Sequence, residues 1–222
     1  MPRLLHYSDV ENVYDDPVRV GRLAGALRSR NGDDALVCGT GDNTSPGVLA
    51  LIERGRQALD LFRAVDADVE TFGNHDFDFG PEATRSIVAA APQTWVSANV
   101  HESGGERFAA PDVVPHAVRE VGGVRIGLFG VTDPATPSLN PMAGELRFSD
   151  PYDAAEAAST NFGQQGSTAS SRSRTSAAGT TNSHGAWTST LSSAVTSTPN
   201  AASGWRTRSC SAPARTATRS SR

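Results

Sequence analysis

At 222 residues the chain has room for one large domain or two small ones, either with a buried core. Its charge is divided: residues 1–160 hold 13 Arg against 24 Asp plus Glu, whereas residues 161–222 hold 7 Arg and no acidic residue, and lysine is absent throughout. Two cysteines in unlike contexts, Cys38 and Cys210, exclude a disulfide framework, and no apolar run is long enough to span a membrane. The first residues, M-P-R-L-L-H-Y-S-D, contain no apolar signal core, so the expectation is a cytoplasmic protein.

Residues 3–8 (R-L-L-H-Y-S) read as a short buried strand that ends at Asp9-Val10-Glu11-Asn12. Residues 17–30 carry Val20, Leu23, Ala24 and Leu27 at helical spacing, with Pro17 at the start and Asn31-Gly32 as the stop. A second strand, A-L-V-C at 35–38, leads into G-T-G-D-N. Residues 48–65 read as one longer helix, followed by a strand over 67–72, a helix over 81–91 and a strand over 94–100. The apolar runs 113–121 and 124–131 flank Gly122-Gly123, which reads as a hairpin. Strands alternating with helices of this length predict an α/β sheet with helices on its faces.

The densest chemistry lies in T-F-G-N-H-D-F-D-F-G, residues 71–80, between a strand and a helix opened by Pro81. A structural turn uses Asn, Gly and Asp for their backbone tolerance but has no need of His75 with Asp78 three residues on. Two earlier strand ends also present oxygen donors: Asp9 and Glu11 after the first, Asp42 after the second. Each alone is equally a turn or a helix cap. Together with Asn74 and His75 they compose a site for hard divalent cations, in which a carboxylate such as Asp42 can bridge two ions. His6, His101 and His116 read as strand, loop and edge residues, and Cys38 as a small buried one.

With S-D-V-E at 8–11, G-D-N at 41–43, G-N-H-D-F-D-F-G at 73–80, V-S-A-N-V at 96–100 and V-R-I-G-L-F-G-V-T at 124–132, residues 3–158 resemble the calcineurin-like metallophosphoesterases, and within them the 5'-nucleotidase branch. The resemblance implies a sheet sandwich flanked by helices and hydrolysis of nucleotides or other phosphate esters with two divalent ions (Mn, Mg, Zn or similar). It further implies Asp9 and Asn74 as ligands of the first and second ion and Asp42 as the bridge. His75 would stabilise or protonate the phosphoryl ester, with Asp78 orienting its ring, and Asn74 and His75 would contact substrate. Where the family has D-x-H, this chain has Asp9-Val10-Glu11, which keeps Glu11 as an oxygen ligand. The family's later strand-ending histidine and its G-H-x-H motif have no counterpart here, which leaves a catalytically inactive fragment as the alternative.

Residues 161–222 form a second region in which 26 of 62 residues are Ser or Thr, with few aliphatic residues and no period. The expectation is a disordered tail appended to an incomplete phosphoesterase domain at 1–160. Acidic residues vanish just after D-A-A-E-A-A-S-T, which points to a shift of reading frame near 158–163, and His184 stands in N-S-H-G-A with no strand before it. The scattered arginines imply at most non-specific attraction to nucleic acid. No membrane partner is expected, and the sequence carries no sign of assembly state.

Overall fold

The computed structural model describes residues 2–165, 190–196 and 206–210. Strand β1 (Arg3–Tyr7), half-buried rather than buried, leads to α1 (Pro17–Arg28), which Asp16 caps by accepting from the N–H groups of Val18 and Arg19. Strand β2 (Ala35–Gly39) is buried at every residue. The single helix expected over 48–65 is two, α2 (Val48–Glu53) and α3 (Ala58–Val65). Arg54 and Gly55 adopt φ of 52° and 85° between them, and a Cβ at Gly55 would lie 2.9 Å from Ile87 Cδ1. A left-handed pair held against a core side chain ends a helix whatever the periodicity says.

Next come β3 (Val69–Glu70) and α4 (Gly80–Ala90). The strand expected over 94–100 divides into β4 (Thr94–Val96) and β5 (Val100–His101). Buried Asn99 separates them, its amide nitrogen donating to the carbonyls of Thr132 and Ser149 and its oxygen accepting from Thr132 N–H. The run 113–121 likewise divides at Pro115 into β6 (Val113–Val114) and β7 (Ala117–Val121). Strands β7 and β8 (Val124–Val131) form the expected hairpin, with Gly122 and Gly123 at φ of 56° and 73°. A short helix α5 (Thr136–Leu139), strand β9 (Arg147–Phe148) and helix α6 (Pro151–Gln165) follow. Helix α6 runs across the boundary expected at residue 160. In the low-complexity region, where composition predicts none, the described residues form strands β10 (Thr190–Thr196) and β11 (Arg206–Cys210). His184 and the remainder of that region lie outside the described residues.

Strands β1, β2, β3, β4 and β6 make a parallel sheet in the order 1-2-3-4-6, with Arg3 opposite Ala35 and Tyr7 opposite Gly39. A second, antiparallel sheet has the order β11-β10-β8-β7, and β5 pairs with β9 in a two-stranded ribbon. The two main sheets pack face to face over Leu36, Cys38, Val69, Val96, Ile126 and Leu128. On the outer face of the parallel sheet α1, α3 and α4 bury Leu27, Leu61, Phe62 and Ile87 around an aromatic group of Phe72, Phe77, Trp95 and Phe108. Helix α6 covers the other sheet through Ala158 and Phe162 against Phe129. This is a sheet sandwich with helices outside it, as expected. Parallel strands place the carboxyl ends of β1, β2 and β3 side by side, which brings loops 8–12, 40–46 and 71–78 to one edge. Among the described residues no helix is long and apolar enough to cross a membrane.

Candidate active site

The three loops are tied together first by backbone. Asp9 N–H donates to the Gly41 carbonyl (3.2 Å) and Glu11 N–H to the Asp42 carbonyl (3.3 Å). Asp9, Glu11 and Asp42 all adopt left-handed backbone, with φ of 52°, 46° and 54°. Such conformations cost about 1–2 kcal/mol each and gather at functional sites, where the surroundings enforce them. Asp42 reaches the third loop as well, its Oδ1 accepting from His75 N–H at 2.7 Å. Gly73 makes that approach possible, because a Cβ there would overlap the Asp42 carboxylate.

Asp76 fastens the second loop to the third. Its buried carboxylate accepts from the N–H groups of Asp42 (2.9 Å), Asn43 (3.2 Å), Thr44 (3.1 Å) and Gly73 (2.8 Å) and from the Thr44 hydroxyl (2.8 Å). Burial pushes its pKa up, and the Gly73 and Thr44 donors pull it back. Below it, fully buried Glu70 accepts from the Tyr7 hydroxyl (2.8 Å), Asn43 Nδ2 (3.0 Å) and Gly41 N–H (3.4 Å), and lies so close over Gly39 that a side chain there would overlap it. Burial, with the nearby Asp76 charge, raises Glu70 to about 8.

That raised value predicts a pH signature. The folded state holds the Glu70 proton more tightly than the unfolded chain, so this contribution to stability is complete below pH 4.5 and is lost as pH rises through about 8. Glu70→Gln keeps the shape and removes the titration. Thermal unfolding in a chelator is expected to show the wild type losing about 10 °C more than the variant between pH 5 and pH 9. Parallel curves would mean that Glu70 is already ionised at neutral pH.

At the open edge His75 Nδ1 lies 3.2 Å from both oxygens of Asp78. The hydrogen bond to Asp78, reinforced by the charges of Asp42, Asp78 and Glu11 and opposed by burial, raises His75 to about 9. The imidazole is therefore a cation at neutral pH, able to neutralise an anion or give up a proton. Burial and the Asp76 charge raise Asp42 to about 7. Burial also raises Glu11, with the Asp9 and Asp78 charges adding to the effect and that of His75 opposing it. The structure thus brings Asp9, Glu11, Asp42, His75 and Asp78 within one electrostatic neighbourhood, with Asn74 beside them in the chain.

These donors fit divalent metal in type: hard oxygens crowded together, their charge countered within the group by His75 alone. In arrangement they stop short of a cage: among the described residues no three His, Cys, Asp or Glu side chains are grouped to hold an ion. A cavity of about 410 Å³ opens beside Asp78, lined by Asn12, Ser45, Val48, Leu51 and Phe79. His6 stands apart, in β1 with Nε2 2.7 Å from the Thr40 hydroxyl, and burial lowers its pKa.

Sequence reasoning assigned no role to Asp76, Glu70, Ser45 or Asn140. A carboxylate inside the G-N-H-D string was the available signal for Asp76. An acidic residue in an otherwise apolar strand, V-E-T-F, was the signal for Glu70. Ser45 and Asn140 carried none.

No family model matches the chain. It is 30% identical over 143 residues to the cell wall protein Lmo0130 of Listeria monocytogenes (56% of this chain, 18% of that one). It is 29% identical over 134 residues to a probable 5'-nucleotidase of Treponema pallidum (60% and 22%). Among solved structures a 5'-nucleotidase precursor from Thermus thermophilus superposes with a TM-score of 0.63 at 26% identity, over 73% of this chain and 34% of that one. The calcineurin-like phosphoesterase YfkN from Bacillus subtilis superposes at 0.59, over 73% and 58%, and at 20% identity shares the fold. The chain spans about a fifth of the length of the curated relatives it matches.

Proposed function

From a chain that is a relative of the calcineurin-like phosphoesterases and, among them, of the 5'-nucleotidases, we propose a metal-dependent hydrolase of phosphate esters, nucleoside monophosphates first among them. One observation carries the reading: three loops at adjacent strand ends deliver Asp9, Glu11, Asp42 and Asn74 to the same edge as a paired His75 and Asp78. Those four residues would hold the divalent ions. Bound there, the ions would draw charge from the phosphoryl oxygens and acidify water.

The chain's own residues do the remainder. His75, protonated and steadied through Nδ1, offers its other ring nitrogen to the departing ester oxygen, which leaves as an alcohol once it takes that proton. Asp78 keeps the ring charged and oriented. The adjoining cavity gives the organic part of the ester a place beside Val48, Leu51 and Phe79. The composition change near residues 158–163 is read as a frame shift, which the coding DNA beyond residue 150 tests directly.

A second reading, a fold without turnover that at most binds an ion or nucleotide, is favoured because among the described residues no three His, Cys, Asp or Glu side chains are grouped to hold an ion. Phosphate release from a nucleoside monophosphate decides between them. The first reading expects turnover that requires added Mn, Mg or Zn, stops in EDTA and falls about 10²–10⁴-fold in His75→Ala. Ion binding by calorimetry with no turnover under any ion selects the second.

A further inference from the structure

We infer that Asn140, assisted by Ser45, is a positioning residue for the acid–base pair and acts on His75 through the carboxylate of Asp78. The inference deepens the reading of His75 as the group that protonates the leaving oxygen, and rests on it.

Asn140 follows α5, on the connection leaving β8, and is 66 residues from the loop it braces. Its Nδ2 donates to the Asn74 carbonyl at 2.8 Å and to Asp78 Oδ1 at 2.9 Å. The residue is 7% exposed, and its own Oδ1 accepts from Met142 N–H at 3.0 Å. That last bond settles which way the amide faces, since an NH2 group cannot accept from an N–H. From the other side the Ser45 hydroxyl donates to Asp78 Oδ2 at 2.7 Å. Each oxygen of Asp78 therefore has a donor of its own besides His75. The carboxylate cannot swing about its last torsion without losing both, so the ring it holds has one orientation.

Only an amide satisfies the geometry at 140: two donations outward and one acceptance from Met142. Aspartate keeps the shape and the acceptance but loses both donations and sets a like charge against Asp78. Asn140→Asp is therefore the sharp variant, and Ser45→Ala the milder one.

The test compares two substrates. A nucleoside 5'-monophosphate expels an alkoxide that needs a proton, whereas p-nitrophenyl phosphate expels a phenolate that leaves without one. Asn140→Asp is expected to lower kcat about 10–100-fold for the first, in the range of lost orienting partners, and less than about 3-fold for the second, with KM unchanged. Equal losses on both substrates overturn the inference. Should Asn140→Asp fail to fold, judged by the Trp95 indole resonance, Ser45→Ala must show the same selectivity at smaller size, and an unselective loss overturns it. If the wild type hydrolyses neither substrate, the functional reading fails separately. The carbon–proton correlations of the His75 ring then decide alone: broadening or doubling in Asn140→Asp supports positioning, and unchanged signals overturn it.

Discussion

Asp42→Asn is expected to reduce ion-dependent hydrolysis about 10³-fold or more while leaving the ion-free protein folded. Asp42 joins the second loop to the third beside Asp76, accepting from His75 N–H at 2.7 Å, and an asparagine oxygen keeps that bond. What disappears is the charge, and with it the strongest oxygen donor that the second loop offers an ion. The same charge is a burden to the protein without metal. Burial and Asp76 lift the Asp42 pKa to about 7, so above that pH the ionised form opposes folding. In EDTA at pH 8 the variant should melt no lower than the wild type. With Mn present the order should reverse, because the wild type alone gains from binding. Paired melting curves and a phosphate-release assay check both halves, and retention of ion-dependent turnover in Asp42→Asn would remove Asp42 from the proposed centre.

The largest effect on stability belongs to Asp76. Replacement by Ala strands four backbone N–H groups and a hydroxyl from loops 42–44 and 73, all but the half-buried Asp42 N–H inside the protein. Unsatisfied buried donors cost about 1–3 kcal/mol each, and relaxation that admits water recovers part of this, so a net loss of about 4 kcal/mol or more is expected. Urea titration of the ion-free protein measures it. Asp76→Asn should fall between, since its NH2 group must face at least two of the N–H donors. A loss below about 1 kcal/mol for the Ala variant would mean that the two loops hold together without this carboxylate.

The order of strands and helices was legible because each β–loop–α unit has its own apolar period and its own stop. The errors lie where a run that reads as continuous is broken. The chain breaks at Arg54-Gly55 and at Asn99 because a neighbouring element packs against or bonds that stretch, and hydrophobic spacing carries no record of the neighbour; at Pro115 the missing N–H ends the strand, a signal the apolar run masked. Site residues divided the same way. Asp9, Asp42, Asn74 and His75 stood out as candidates because three successive strand ends carry such side chains together, although each alone is an ordinary turn or cap. Asn140 was invisible because its partners, Asn74 and Asp78, lie more than sixty residues away, and an Asn before a Pro reads as an ordinary turn. Glu70 could be seen but not interpreted, since its meaning depends on the Tyr7 and Asn43 groups that enclose it.

The cross-tying of the loops by Asp9 N–H to Gly41, Glu11 N–H to Asp42 and the Asp76 contacts has a kinetic consequence. Loops already ordered by their own backbone have no folding step left for an arriving cation to drive. Ion entry should then be governed by how quickly the hydrated cation sheds its water, making Mg slow and Mn or Ca fast at the same affinity. Chelator-triggered release would then begin without the lag that a collapsing loop introduces.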